Sequence, residues 1–187
     1  RLCPHFHMSI QSASTPTLER MRRQYTAQDV ESALLKIKRV LPNAFVGMDV
    51  IVGFPGETDE EFQETYERLA RLPWTRIHVF PYSERPGTKA LKLEGSVRPE
   101  ERVRRAQFLR SLSTDRFEQM GRSLIGEKLR VMGLRGGRGL SDNYWPVEFE
   151  SELAPGQFSE FTVTGFCKPT NGRMDGWLKG RAVDVPC

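Results

Sequence analysis

Three short stretches carry polar and aromatic side chains at alternate positions, in a pattern suited to holding a small ligand. His5, His7, Ser9 and Gln11 form one set, Asp49, Ile51 and Gly53 a second, and His78, Phe80 and Tyr82 a third. Side chains two apart on a strand point the same way. If helices cover the Phe6, Val50 and Val79 side, these three sets line one concave surface. A surface part polar and part aromatic suits a ligand with a flat ring and charged ends. A hydrogen-bonded polar core without a ligand is the alternative. Asp49 needs a partner in either case, because an unpaired carboxylate in a buried strand is costly. It bonds neighbouring backbone or a histidine, or it accepts from a ligand hydroxyl or amine. His5, His7 and His78 lack the spacing and the accompanying Cys or carboxylates of a metal site, so structural roles are expected of them. Arg23 could clamp a carboxylate in two-pronged fashion, or it is a solvated surface arginine.

The elements that would position these groups are legible in order. Asp49-Val50-Ile51-Val52-Gly53-Phe54-Pro55-Gly56-Glu57-Thr58 reads as a buried strand, a glycine turn and a helix start. Thr58 and Glu61 stand in capping-box positions. Strands are predicted over 5–12, 45–52 and 76–83. Thr15-Pro16 opens a short helix. Thr26 caps another that runs to about Leu41, with Val30, Leu34, Ile37 and Leu41 on one stripe. A third helix follows Thr58 with Phe62, Tyr66 and Leu69 inward. A long one begins at Pro99, with Val103, Leu109, Leu112 and Met120 spaced to pack on the sheet. This β-α-β-α-β-α order implies parallel strands joined by right-handed crossovers.

Near Ser123 the composition changes to glycine turns and short alternating runs. Strands are expected at 128–132, 144–149, 158–163 and 181–185, with turns at Ser141-Asp142-Asn143, Ala154-Pro155-Gly156 and Asn171-Gly172. The expectation is a small antiparallel barrel over 123–187, following an α/β domain over 1–122. Lys128, Arg130, Arg135, Arg138, Arg173, Lys179 and Arg181 accompany Tyr144, Trp145, Phe166 and Trp177 in this part. Cations interleaved with aromatics fit RNA binding by phosphate contact and stacking. An ordinary barrel with buried aromatics and solvated charges is the alternative.

The 187 residues carry 28 basic and 24 acidic side chains, a net charge of +4 that does not by itself diagnose nucleic-acid binding. No apolar run is long enough to span a membrane. Cys3, Cys167 and Cys187 are too scattered for a disulfide framework or a metal knuckle, so a reducing, cytoplasmic setting is expected. The chain opens at Arg1 almost directly into strand-like sequence, as a piece of a longer protein would.

His5 to Ser12, Met21 to Thr26, Asp49 to Glu57 and Tyr82-Ser83-Glu84-Arg85-Pro86-Gly87-Thr88, in this order, resemble the second half of the radical S-adenosylmethionine methylthiotransferases. His78-Val79-Phe80-Pro81-Tyr82-Ser83 is most similar to the branch acting on threonylcarbamoyladenosine beside the tRNA anticodon. The tail from about Ser123 resembles that family's TRAM domain, with Ser141-Asp142-Asn143-Tyr144 at its usual turn. Ala13 departs from the family, which has glycine after Gln-Ser. The resemblance implies the last three strands of a six-stranded partial barrel plus an RNA-binding TRAM barrel. It also implies S-adenosylmethionine, two [4Fe-4S] clusters, an electron donor and tRNA as cofactors and partners. In the intact enzyme a reduced cluster cleaves S-adenosylmethionine, hydrogen is abstracted at an adenine carbon, and a methylthio group is installed. The C-x-x-x-C-x-x-C loop that holds the cluster does not occur in this sequence, which the resemblance therefore makes inactive alone. Carried over by position, Gln11 and Ser12 stand at a strand end near the cofactor, and Arg23 near the methionine carboxylate. Val50, Ile51 and Val52 belong to the strand beside the adenine, with Asp49 of that strand also assigned to the cofactor, Gly53 to Gly56 to the turn behind it, and Phe80 and Tyr82 to the mouth of the last strand. A branch that methylthiolates an aspartate of a ribosomal protein, and a non-catalytic RNA-binding module, remain as alternatives. Half a barrel should leave its first strand's edge and inner face open, favouring self-association or disorder near Arg1.

Overall fold

A computed structural model describes residues 3–149, 153–168 and 176–183. The chain divides into two compact units. One comprises Phe6–Pro42 and Val46–Thr114. The other comprises Arg1–His5, Asn43–Phe45 and Asp115–Cys187.

The first unit is built on a three-stranded parallel sheet in the order β1-β2-β3. Its elements are β1 (His5–Gln11), α1 (Thr15–Arg20), α2 (Ala27–Val40), β2 (Phe45–Val52), α3 (Asp59–Arg71) and β3 (Arg76–Pro81). The long α4 (Pro99–Ser123) follows. β2 pairs with β3 so that Asp49 stands beside His78 and Ile51 beside Phe80. Alternation then sorts the side chains. Met48, Val50, Val52, Ile77 and Val79 are buried against Val30 and Leu34 of α2, Phe62 and Leu69 of α3, and Ala106 and Leu109 of α4. On the other face Asp49 and Ile51 are half-buried, and His78 and Phe80 are exposed.

The helix starts are chemically specified. Thr26 with Asp29 and Thr58 with Glu61 each form a reciprocal capping box, which satisfies amide groups that the first turn leaves unpaired. The α1 start differs from expectation by one residue. Ser14 is the cap, while the Thr15 hydroxyl accepts from the Ala27 amide at 3.1 Å and so ties α1 to the beginning of α2. The α2 stripe also stops short, with Leu41 38% exposed.

On α4 the expected stripe is corrected. Val103 is 48% exposed, and Met120 joins the core of the second unit. The positions buried here are Arg102, Arg105, Ala106, Leu109 and Ser113. Leu109 and Leu112 pack on the first unit's core as expected, but apolar periodicity missed Arg102 and Arg105 beside them, whose charges meet Glu57, Asp59, Glu84 and Glu101.

The second unit is a closed barrel of β4 (Lys128–Leu134), β5 (Arg138–Ser141), β6 (Pro146–Phe149), β7 (Phe158–Cys167) and β8 (Trp177–Val183), in the order β4-β5-β6-β8-β7. It is not wholly antiparallel, because β6 and β8 run parallel. Five strands in a closed ring cannot alternate direction throughout, so one neighbouring pair must agree. Strand β5 was not expected from its glycine-containing sequence. Gly139 is required there, since a Cβ would stand 2.7 Å from the Met132 carbonyl oxygen and from the Phe149 ring. Leu129, Val131, Trp145, Val147, Phe161, Val163 and Leu178 fill the interior together with Phe117. Phe117 is on α4, which is why this unit begins at Asp115 rather than at 123. The turn after β5 is held by Ser141, whose hydroxyl donates to Asn143 Oδ1 (2.6 Å) and accepts from the Trp145 amide (2.8 Å). The Asn171-Gly172 turn, the residues beyond Val183 and those at Arg1 lie outside the described residues.

Phe161 is fully buried in the barrel, whereas Val103 faces outward on α4. Phe161→Ala is expected to lower stability by about 3–5 kcal/mol, and Val103→Ala by less than about 0.5 kcal/mol, in urea unfolding followed by tryptophan fluorescence.

Candidate functional site

The carboxyl ends of the three parallel strands open into a cleft of about 550 Å³ lined by Gln11, Asp49, Ile51, Phe80 and Tyr82. Phe54 and the segment after β3 complete its wall. This edge of a parallel sheet is where open α/β folds bind ligands.

Gln11, at the end of β1, has φ +63° and is 8% exposed. The Ser12 amide donates to the Ile10 carbonyl at 2.7 Å, closing a three-residue γ-turn around it. The positive-φ form of this turn is rare and strained for a side-chain-bearing residue. Such strain, of order 1–3 kcal/mol, persists where surrounding structure over-determines it and concentrates at functional sites.

Asp49 is held from two sides. Ser9 Oγ donates to its Oδ2 at 3.1 Å, and His7 Nε2 lies 2.9 Å from the same oxygen. The His7 and His78 rings are 5.6 Å apart. The histidine partner expected for Asp49 is therefore present, and the carboxylate also faces the cleft.

Tyr82 sits on the far wall. Its ring meets Phe54 edge-on at 5.2 Å and has the Arg102 guanidinium 5.3 Å from its centre. Its hydroxyl is buried with no hydrogen-bond partner among the described residues. A buried hydroxyl left unpaired costs about 1–3 kcal/mol, so a ligand group that bonds it recovers that energy.

Three residues expected near a cofactor are placed elsewhere. Val52 is 1% exposed in the core on the helix-covered face, because strand alternation turns it opposite to Ile51. Ser12 is buried, with its hydroxyl 3.2 Å from Thr65 Oγ1 and accepting from the Ser14 amide. Arg23 is exposed in the turn between α1 and α2, where its amide donates to the Leu18 carbonyl.

The glycine turn after β2 is anchored by residues that sequence reading passed over. Gly53, at φ +71°, donates its amide to Glu57 Oε1 at 2.9 Å. Arg105, from α4, meets Glu57 at 2.5 Å, Asp59 at 2.7 Å and Glu101 at 3.0 Å. Burial pushes the Glu57 carboxyl up, opposed by the Gly53 amide and Arg105. Arg102 donates to the Val97 and Tyr82 carbonyls and to Glu84. A Cβ on Gly53 would stand 2.4 Å from Arg102 Cγ. The available signal was the spacing of Arg102, Arg105 and Ser113 with Ala106 and Leu109, which puts all five on one helical stripe.

On the barrel, Lys128 pairs with Glu160 at 2.8 Å, and the Arg130 guanidinium lies 4.7 Å from the Phe158 ring centre. Arg138 and Lys179 flank Glu148 across the sheet, Arg135 is exposed in the β4–β5 turn, and Arg181 is exposed on β8. Arg173 lies outside the described residues. Tyr144 is 47% exposed and stacks on His5 at 4.2 Å. The other aromatics singled out from sequence are committed to structure. Trp145 and Phe166 pack in the barrel core, and Trp177 Nε1 donates to Glu148. Phe158, not singled out, is 58% exposed.

Arg104, and then Arg105, hold the Glu101 carboxyl down at about 2. A depressed folded-state value adds stability above the unfolded-state value near 4.5, and that stability is lost as pH falls through about 2. Glu101→Gln is expected to be less stable than the parent at neutral pH. The difference should shrink as pH falls from about 4.5 to about 2 in urea titrations.

Comparison with known proteins adds the family. Residues 2–69 match the Radical SAM superfamily. The threonylcarbamoyladenosine tRNA methylthiotransferase MtaB of Aquifex aeolicus is 39% identical over 150 residues, covering 80% of this chain and 37% of that protein. A probable threonylcarbamoyladenosine tRNA methylthiotransferase of Methanocaldococcus jannaschii is 36% identical over 177 residues, 95% of this chain and 39% of that protein. A tRNA-2-methylthio-N(6)-dimethylallyladenosine synthase of Corynebacterium glutamicum is 32% identical over 179 residues, 87% of this chain and 34% of that protein. The chain thus spans little more than a third of the length of these relatives. With a parallel sheet open at its carboxyl edge and a closed β-barrel, it belongs to the radical S-adenosylmethionine methylthiotransferase family.

Proposed function

We propose that this chain is part of a tRNA methylthiotransferase that acts on threonylcarbamoyladenosine, its sheet unit holding S-adenosylmethionine and its barrel serving as an RNA-binding TRAM domain. The observation that carries the reading is the cleft itself. A strained Gln11, a fixed Asp49 and an unpartnered Tyr82 hydroxyl converge at the strand ends. Relatives named for threonylcarbamoyladenosine support the choice of nucleoside.

The residues present fit S-adenosylmethionine, which when bound supplies a methyl group and the means to break an unactivated C–H bond. Ile51 and Phe80 offer apolar walls to a purine. Asp49, oriented by His7 and Ser9, is placed to accept from a hydroxyl or amine. Gln11 and Tyr82 line the same cleft. The iron–sulfur clusters do not fit the residues here. Cys3 and Cys167 are single free thiols, and among the described residues no three His, Cys, Asp or Glu side chains gather as a metal site. In this reading the cluster ligands belong to a part of the full-length enzyme not represented in this sequence, and this chain alone is inactive. The full-length enzyme requires an electron donor and works in the cytoplasm. The isolated chain self-associates through its open barrel edge.

Deleting the gene for the full-length protein is expected to abolish the methylthio group on threonylcarbamoyladenosine in tRNA hydrolysates, while threonylcarbamoyladenosine itself persists. Mass spectrometry showing the methylthio group intact, in a genome with no second such enzyme, would overturn the assignment. In the full-length protein, Tyr82→Phe should weaken S-adenosylmethionine binding by about 2- to 12-fold in calorimetry, the equivalent of one net hydrogen bond. Unchanged affinity would remove Tyr82 from the site.

A further inference from the structure

Strand register sets the outer face of the barrel in rows. Phe158 pairs with Met132, Met132 with Leu140, and Leu140 with Pro146, so these four side chains form one row across β7, β4, β5 and β6. At roughly 4.8 Å between strands the row is about 14 Å long. One rung to one side, Arg130 stands opposite Glu160. One rung to the other side, Leu134 on β4 begins a row that continues with Arg138, Glu148 and Lys179. An apolar band therefore runs between two charged rows on the outside of the barrel. Phe158 is 58% exposed at its end, and the Arg130 guanidinium is laid against its ring at 4.7 Å.

We propose that this band is a docking platform for an unpaired stretch of RNA, with bases stacked on Phe158 and the apolar row and the backbone directed to Arg130 on one side and Arg138 and Lys179 on the other. The inference rests on the RNA-binding reading of the barrel and names its contact surface. Charge arrangement selects the single strand. A face that tracked a duplex backbone would present uninterrupted cations, because that affinity comes from neutralised phosphates. Here Glu160 is paired to Lys128 and opposes Arg130, and Glu148 separates Arg138 from Lys179. Carboxylates interrupt the cations, and the distinctive feature is an aromatic ring with a guanidinium beside it. That pair offers stacking to any exposed base, whereas the bases of a duplex are stacked on one another and out of reach.

The test uses the full-length protein with a single-stranded oligoribonucleotide and an RNA duplex of the same sequence, measured by fluorescence anisotropy over a range of salt. Phe158→Ala is expected to weaken single-strand binding by about 5- to 160-fold. The slope of affinity against salt should stay unchanged, because no phosphate contact is lost. Phe158→Trp should restore binding, and duplex affinity should move far less. Phe158 is more than half exposed, so the fold should persist, and circular dichroism checks it. If Phe158→Ala binds as the parent does while Arg135→Ala or Arg181→Ala weakens binding, the platform is wrong and the barrel's RNA role stands. If neither RNA binds, both readings fail. If Phe158→Ala alters only the sedimentation of the protein, the row is a protein contact and the proposal is overturned.

Discussion

Two arginines buried on one turn of α4 hold the cleft in shape. Arg105 is 3% exposed and meets three carboxylates, and Arg102 is 6% exposed and meets carbonyls and Glu84. Withdrawing a guanidinium from water is unfavourable, and only a full set of short, well-directed acceptors offsets it. The acceptors here come from the glycine turn after β2, from the segment that follows β3, and from Val97 and Glu101 at the start of α4. A pair built this way is intolerant of losing one member, since an unmatched buried charge costs about 3–5 kcal/mol. The same contacts that satisfy the arginines therefore fix Gly53–Glu57 and the Tyr82 backbone relative to each other. Gly53 leaves no room for a side chain against Arg102, so the approach is as close as the backbone permits.

The cleft follows from this anchoring together with the twofold alternation of strands. One side of β2 gives Met48, Val50 and Val52 to the helices, and the other gives Asp49 and Ile51 to the open face. The helices cover one face with apolar side chains. The polar residues on the other face must satisfy one another, as Asp49 does with His7 and Ser9. Tyr82 and Gln11 depart from this self-sufficiency, one through an unpaired hydroxyl and one through a strained backbone. Both departures fall at the same strand ends, where the sheet has the least to gain from them by itself.

The barrel obeys a different constraint. Its ring of five strands forces one parallel seam, and its small radius admits Gly139 where a larger residue would collide with Phe149. Most of its aromatics are consumed in filling the interior. Basic-aromatic composition in the chain thus overstated how many rings face solvent. Trp145 looked available and is buried, while Phe158 sits in an ordinary strand and, among the described residues of the barrel, joins Tyr144 as an exposed ring.

Local rules were enough to read the strand at 45–52, both capping boxes' threonines and the inward parity of Gln11, Asp49, Phe80 and Tyr82. Strand alternation and helix capping are decided within a few residues, so a linear pattern carries them. Other features required the folded chain. Val52 and Ser12 face away from the cleft despite lying in the motif that borders it. The Arg105–Glu57 contact joins residues 48 apart, and the Phe158 row exists only because four strands align. These depend on which distant groups meet after long loops close. Periodicity along one segment records what that segment buries, but not the partner that makes burying a charge favourable.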